Sequence, residues 1–172
     1  MRRLRALLTS YREAGGDRPI VLLHDESHGA EMIDALARHG DGLPANVLPL
    51  AINEVTQVGL EMVAAAFAYG ASALRLLLRA RPRHDVIGLR QTIALSEPIL
   101  MGLGFGEGRV ATIETDDPDA LGEALRNLER YVQKETFNNP QGGQDSPGAS
   151  IQFDTKGVEF GPWLRRFVAQ VR

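Results

Sequence analysis

From Pro19 onward the chain repeats one unit: a short apolar run, a polar turn, then a longer stretch with helical spacing. The apolar runs cover residues 20–24, 47–52, 73–78 and 110–114. They are rich in Val, Ile and Leu and continuously apolar where they are strongest, which is the pattern of parallel strands covered on both faces. Ahead of them Leu4, Leu7, Leu8 and Tyr11 recur at helical spacing and predict an amphipathic helix ending near Gly15-Gly16. Ser27 stands where it caps a helix over residues 29–39, with Gly40 as the stop. Residues 57–69 place Leu60, Val63, Ala64 and Phe67 on one helical face and end at Gly70. A third helix begins near Asp85 with Val86, Leu89, Arg90 and Ile93, and Pro98 predicts a kink or restart after Ser96. A fourth opens with Asp116-Asp117-Pro118-Asp119, a cap followed by Pro at the first helical position and acidic charge at the positive end of the dipole.

Strands separated by helices of this length imply right-handed crossovers. The predicted fold is α/β: a three-layer, flavodoxin-like parallel sheet of four or five strands, followed by a mostly extended or helical C-terminal tail. In such sheets ligands gather outside the carboxyl ends of the strands. The loops there carry Asp25, Glu26, Ser27 and His28; Asn53, Glu54 and Thr56; Arg79, Arg81, Arg83 and His84; and Thr115, Asp116 and Asp117.

Composition narrows the chemistry. The 172 residues include no cysteine, which excludes disulfides, thiolate zinc sites, cysteine-ligated iron-sulfur clusters and thiol nucleophiles within the chain. A net charge of -3 gives no global electrostatic reason to expect nucleic acid or an anionic membrane as partner. The apolar content of the first helix is too short for a signal-peptide core or a membrane span, so the expected location is cytoplasmic, without membrane insertion. A break in composition falls near residue 127. The two lysines, Lys134 and Lys156, four of the six Phe and the single Trp all lie beyond it. The expected organisation is an α/β domain over residues 1–126, a helix end and Gly/Gln/Asn-rich linker over 127–150, and a short extended segment with an amphipathic helix over 151–172.

Candidate sites divide into sharp readings and simpler ones. His24, Asp25 and His28 could gather a metal at a strand end, although the spacing is not that of a metalloprotease helix, and solvated loop polars with a Ser27 cap explain them more simply. Arg79, Arg81, Arg83 and His84 form the dense basic cluster of the sequence. A phosphate or carboxylate could be gripped there, with His28 and Asn53 on neighbouring loops. The glycines from Gly102 to Gly108 follow a helix and precede a strand, the reverse of a phosphate cradle, and read as a helix stop and turn. No serine sits in a G-x-S-x-G context, and Asp116 with Asp117 is explained by capping. No residue takes a catalytic role, so the reading leans away from an enzyme.

The stretch up to about residue 126 resembles the central cysteine-free region of proteobacterial 4Fe-4S ferredoxin-type proteins. The resemblance rests on Leu4-Arg5-Ala6-Leu7-Leu8, Val21-Leu22-Leu23-His24-Asp25-Glu26, Leu43-Pro44-Ala45-Asn46-Val47, Asn53-Glu54-Val55-Thr56-Gln57-Val58-Gly59 and Asp116-Asp117-Pro118-Asp119-Ala120-Leu121. The same region looks like a distant, cysteine-stripped relative of the hydrogenase delta subunit. In the ferredoxin-type family the 4Fe-4S clusters sit in flanking cysteine-bearing modules, so the resemblance implies an electron-transfer setting with no cofactor in these residues. Its partners would be cluster-bearing modules or redox proteins. Residues 127–172, through Phe137-Asn138-Asn139-Pro140 and Gly161-Pro162-Trp163-Leu164, resemble the linker before the C-terminal domain of TonB-family proteins, which implies a periplasmic setting.

Three functions are therefore expected in order. The first is a non-catalytic docking or scaffolding domain of a ferredoxin-type protein. The second is an anion or small-molecule binding module at the strand-end loops. The third is an enzyme with a carboxylate and histidine metal site at His24, Asp25 and His28, with a truncated TonB-like energy-transduction fragment as the reading of the tail. The two resemblances point to different compartments, which predicts a junction of unrelated segments near residue 127.

Overall fold

The computed structural model describes residues 1–134. Four strands, β1 (Ile20–His24), β2 (Val47–Ala51), β3 (Ala73–Leu78) and β4 (Val110–Glu114), form one all-parallel sheet in the order β2-β1-β3-β4. Five helices flank it: α1 (Arg2–Glu13), α2 (His28–His39), α3 (Leu60–Ala68), α4 (Ile87–Gly102) and α5 (Pro118–Lys134). This is the flavodoxin-like three-layer α/β fold, with four strands among the described residues.

Burial explains the strand order. The central strands β1 and β3 are the most deeply buried: every residue of β1 is buried, and every residue of β3 but Arg75. Val21, Leu23, Leu74 and Leu76 face a core shared with α1, α3 and α4, while Ile20, Leu22, Ala73 and Leu77 face one shared with α2 and α5. Each such Leu or Ile contributes about 1.5–3 kcal/mol on burial. The outer strands are only partly covered. Pro49, which has no N–H to give, is tolerated in β2 because that strand lies at the sheet edge.

Several local expectations change. Ser27 occupies the cap position of α2, but its side chain makes no capping bond; the Asp25 carboxylate does that work. The helix expected over 57–69 starts three residues later. Val55–Gln57 is a 3-10 turn held by Glu54, whose Oε1 accepts from Thr56 N and Oγ1, and the α-helix begins after Gly59. The third helix begins at Ile87, where Asp85 accepts the Ile87 N–H, and it runs through Pro98 to Gly102 without a restart. It closes through the Gly104 N–H bond to the Met101 carbonyl and the Phe105 N–H bond to the Leu100 carbonyl, a turn that needs the positive φ of +85° at Gly104.

The compositional break near residue 127 falls inside α5. Leu128 and Val132, beyond it, are buried with Leu121 and Leu125 against the sheet, so the helix is one packed element to Lys134. The linker and tail expected beyond that point, with the TonB-like motifs, lie outside the described residues. No helix among the described residues is long and apolar enough to cross a membrane.

Candidate anion-binding loops at the strand ends

The chain leaves β1 toward β2 and leaves β3 toward β4, in opposite directions along the sheet. Their following loops diverge, and the crevice between them is where open parallel sheets bind ligands. The loop after β1 supplies Asp25 to Ser27, and the longer loop after β3 supplies residues 79–86.

Asp25 is consumed by its own helix. Its Oδ1 accepts from Ser27 N at 2.9 Å, Ser27 Oγ at 3.0 Å and Gly29 N at 3.0 Å. Burial pushes its carboxyl upward, but these bonds and the neighbouring His28 outweigh it and hold the group below the ordinary carboxylate value. Two of the amides that would greet an external anion at the start of α2, those of Ser27 and Gly29, are thus already satisfied. Glu54 is held low chiefly by Thr56, against some desolvation, with His84 Nε2 at 3.6 Å from its Oε2. That contact joins the loops after β2 and β3.

His28 is buried, with 6% of its side chain exposed, and its Nε2 lies 2.9 Å from Asp116 Oδ1. The approach is off the line of a ring hydrogen bond, and neither ring nitrogen has a well-aligned partner. Asp116 Oδ1 also accepts from Ala80 N at 3.3 Å. One carboxylate therefore ties the loops after β1, β3 and β4. Capping does not account for it: Asp117 performs that role, accepting from Asp119 N at 3.0 Å. The sequence reading missed this role of Asp116 because nothing local links it to His28.

The predicted metal ligands do not converge. His24 is buried with its Nδ1 2.8 Å from the Asp25 carbonyl oxygen, Asp25 faces its helix, and His28 faces Asp116. No group of three or more His, Asp or Glu side chains among the described residues could hold a metal ion. The donor set does not fit an iron-sulfur cluster either, because the chain has no thiolate to ligate one.

The arginine loop behaves differently. Arg79 is half-buried, and Arg81 and Arg83 are exposed. None of the three guanidiniums makes a hydrogen bond or ion pair with any described residue. Asn53 is exposed and lines a cleft of about 560 Å³ between the start of α1 and the turn after β2, together with Arg2, Arg3, Glu54 and Glu61.

The chain matches no protein-family model and no curated protein.

Proposed function

We propose that this domain is a non-catalytic docking module that holds an anionic group of its partner through Arg79, Arg81 and Arg83. The observation that carries the reading is the imbalance of pairing around the crevice. The acids of the rim are engaged internally: Asp25 by α2, Glu54 by Thr56 and His84, Asp85 by Ile87 N, Glu114 by Arg90 and Asp116 by His28 and Ala80. Glu26 is the exception. These bonds leave the carboxylates charged but turn them to their own loops, whereas the guanidinium trio is uncommitted, and its planar forks suit carboxylate or phosphate.

A non-catalytic role is supported by the displaced carboxyls. Asp25 and Glu54 both move down, the direction of caps and ion pairs rather than of a general acid. The resemblance to ferredoxin-type proteins supports a redox or cluster-bearing protein in the cytoplasm as the partner, and the arginine trio supports acidic groups on it. A small anionic ligand is the second reading, favoured by the position of the loop at the divergence of β1 and β3.

The test is the melting temperature of the full chain at low ionic strength with pyrophosphate and, separately, with a short oligoglutamate. A ligand at 100 times its Kd adds about 2.7 kcal/mol. Both probes are expected to raise the melting temperature of the wild type and neither that of the Arg79→Ser, Arg81→Ser, Arg83→Ser triple variant. A response to pyrophosphate alone selects the small-ligand reading. No response, or one kept by the triple variant, overturns both.

A further inference from the structure

The cleft between the start of α1 and the turn after β2 sets charges of both signs above an apolar floor. Its volume of about 560 Å³ lies within the range of small-molecule sites. Leu50, Ile52 and Met62 form the floor, half-buried and packed against the core beneath them. Arg2 and Arg3 stand on the α1 side and Glu61 on the α3 side, with Asn53 and Gln57 between them on the turn. None of the lining residues belongs to the arginine loop.

The fold makes no use of these five polar side chains. None of Arg2, Arg3, Asn53, Gln57 and Glu61 makes a hydrogen bond or ion pair with any described residue. Arg2 and Arg3 also occupy the first turn of α1, which carries no acidic residue. Positive charge at a helix start opposes the dipole, so helix stability does not explain the pair. Charge placed against the interest of its own element marks a site with another use.

The lining also selects the ligand. A purely anionic molecule that reaches Arg2 and Arg3 also faces Glu54 and Glu61, and a purely cationic one meets the reverse conflict. A molecule with one charge of each sign and an apolar body matches every surface: its carboxylate the guanidiniums, its ammonium Glu61, its side chains the floor. Asn53 and Gln57 each offer a donor and an acceptor, the complement of a peptide bond. We propose that the cleft binds a short apolar peptide with free ends, its carboxylate on Arg2 and Arg3 and its ammonium on Glu61. The site is separate from the anion-docking loop and does not rest on that reading.

Amide shift mapping of the ¹⁵N-labelled full chain with leucyl-glycyl-leucine tests this. Saturable shifts are expected at residues 2–4 and 50–62, with a Kd on the order of 0.1 mM. The N-acetylated peptide and the C-terminal amide each lack one charge, and each is expected to bind ~tenfold more weakly or worse. Glu61→Gln is expected to abolish the preference for a free ammonium alone, and the Arg2→Ser, Arg3→Ser double variant the preference for a free carboxylate alone. These side chains are exposed, so the melting curves of the variants should move little. The Arg79→Ser, Arg81→Ser, Arg83→Ser triple variant is expected to bind the peptide as the wild type does, which separates a failure of this site from a failure of anion docking. No saturable shift at residues 50–62, equal binding of the free and capped peptides, shifts centred on residues 79–84, or preferences untouched by the cleft variants overturns the proposal.

Discussion

His28 Nε2 and Asp116 Oδ1 meet at 2.9 Å, the first at the start of α2 and the second in the loop between β4 and α5. The imidazole is buried and the carboxylate half open to water, and the same oxygen accepts the Ala80 N–H. Removing the carboxylate strips a buried polar ring of its neighbour and frees the root of the arginine loop. Asp116→Ala is expected to cost about 1 kcal/mol in urea denaturation, discounted because Asp116 is exposed. Hydrogen exchange at Ala80 should quicken. An unchanged midpoint with unchanged exchange at Ala80 would show that the loops are held by something else.

Acid stability follows from Asp25 and Glu54. Both carboxyls lie lower in the folded chain than in the unfolded one. Their contribution is therefore fully present above the unfolded values, near ~4, and is lost as pH falls through the folded ones. The melting temperature should hold from neutral pH to about 5 and then decline. The Asp25→Asn, Glu54→Gln double variant should be less stable at neutral pH, by about 1 kcal/mol for the cap alone, and should decline less steeply in acid. Parallel acid limbs for the two proteins would refute this assignment.

Two backbone and core positions set the scale of fold stability. Leu76 is fully buried on the central strand β3, and Leu76→Ala is expected to cost about 2–5 kcal/mol. Gly70 ends α3 with φ +94°, and its carbonyl accepts from Arg12 Nη2 at 3.0 Å. An added methyl would meet both the strained backbone and the Arg12 guanidinium. Gly70→Ala should destabilise by more than about 1 kcal/mol. Thermal denaturation of both variants checks the pair, and a neutral Gly70→Ala would mean that the turn relaxes.

Arg75 is a charge inside a central strand. It is half-buried, and desolvation pushes its pKa down to about 10, yet it remains charged at neutral pH. Its guanidinium donates to the carbonyls of Leu74, Gly108 and Arg109, stitching the approach to β4 onto β3. Arg75→Met keeps the bulk and leaves those carbonyls short of donors, at an expected cost of about 2 kcal/mol. Chemical denaturation would expose a mistake here if the variant matched the wild type.

The strands were legible because burial on both faces leaves a local mark. The runs at 20–24, 73–78 and 110–114 are the observed strands, and the run at 47–52 exceeds β2 only by Ile52. Helix starts were less legible. Residues 57–69 have helical spacing from Gln57, but Glu54 and Thr56 hold the backbone in a tighter turn first. Pro98 carries a strong local breaking tendency, and Leu89 and Leu100, buried on either side of it, keep α4 continuous. The strand-end loops followed from topology alone, which is why the arginine loop could be named in advance. The pairing of His28 with Asp116 could not, because it depends on which loops the strand order brings together. Arg75 was hidden for the opposite reason: a single charge in an apolar run looks incidental until three carbonyls are found around it.

Amide shift mapping on the ¹⁵N-labelled full chain tests the docking surface most directly. Oligoglutamate or pyrophosphate is titrated in at low ionic strength, where exposed charges are least screened. The largest shifts are expected at residues 79–84, with smaller ones at residues 25–28 and 115–117, all reversed by added salt. Shifts centred instead on Arg2, Arg3 and Arg5 of α1, or none along residues 79–84 with either probe, would contradict the account.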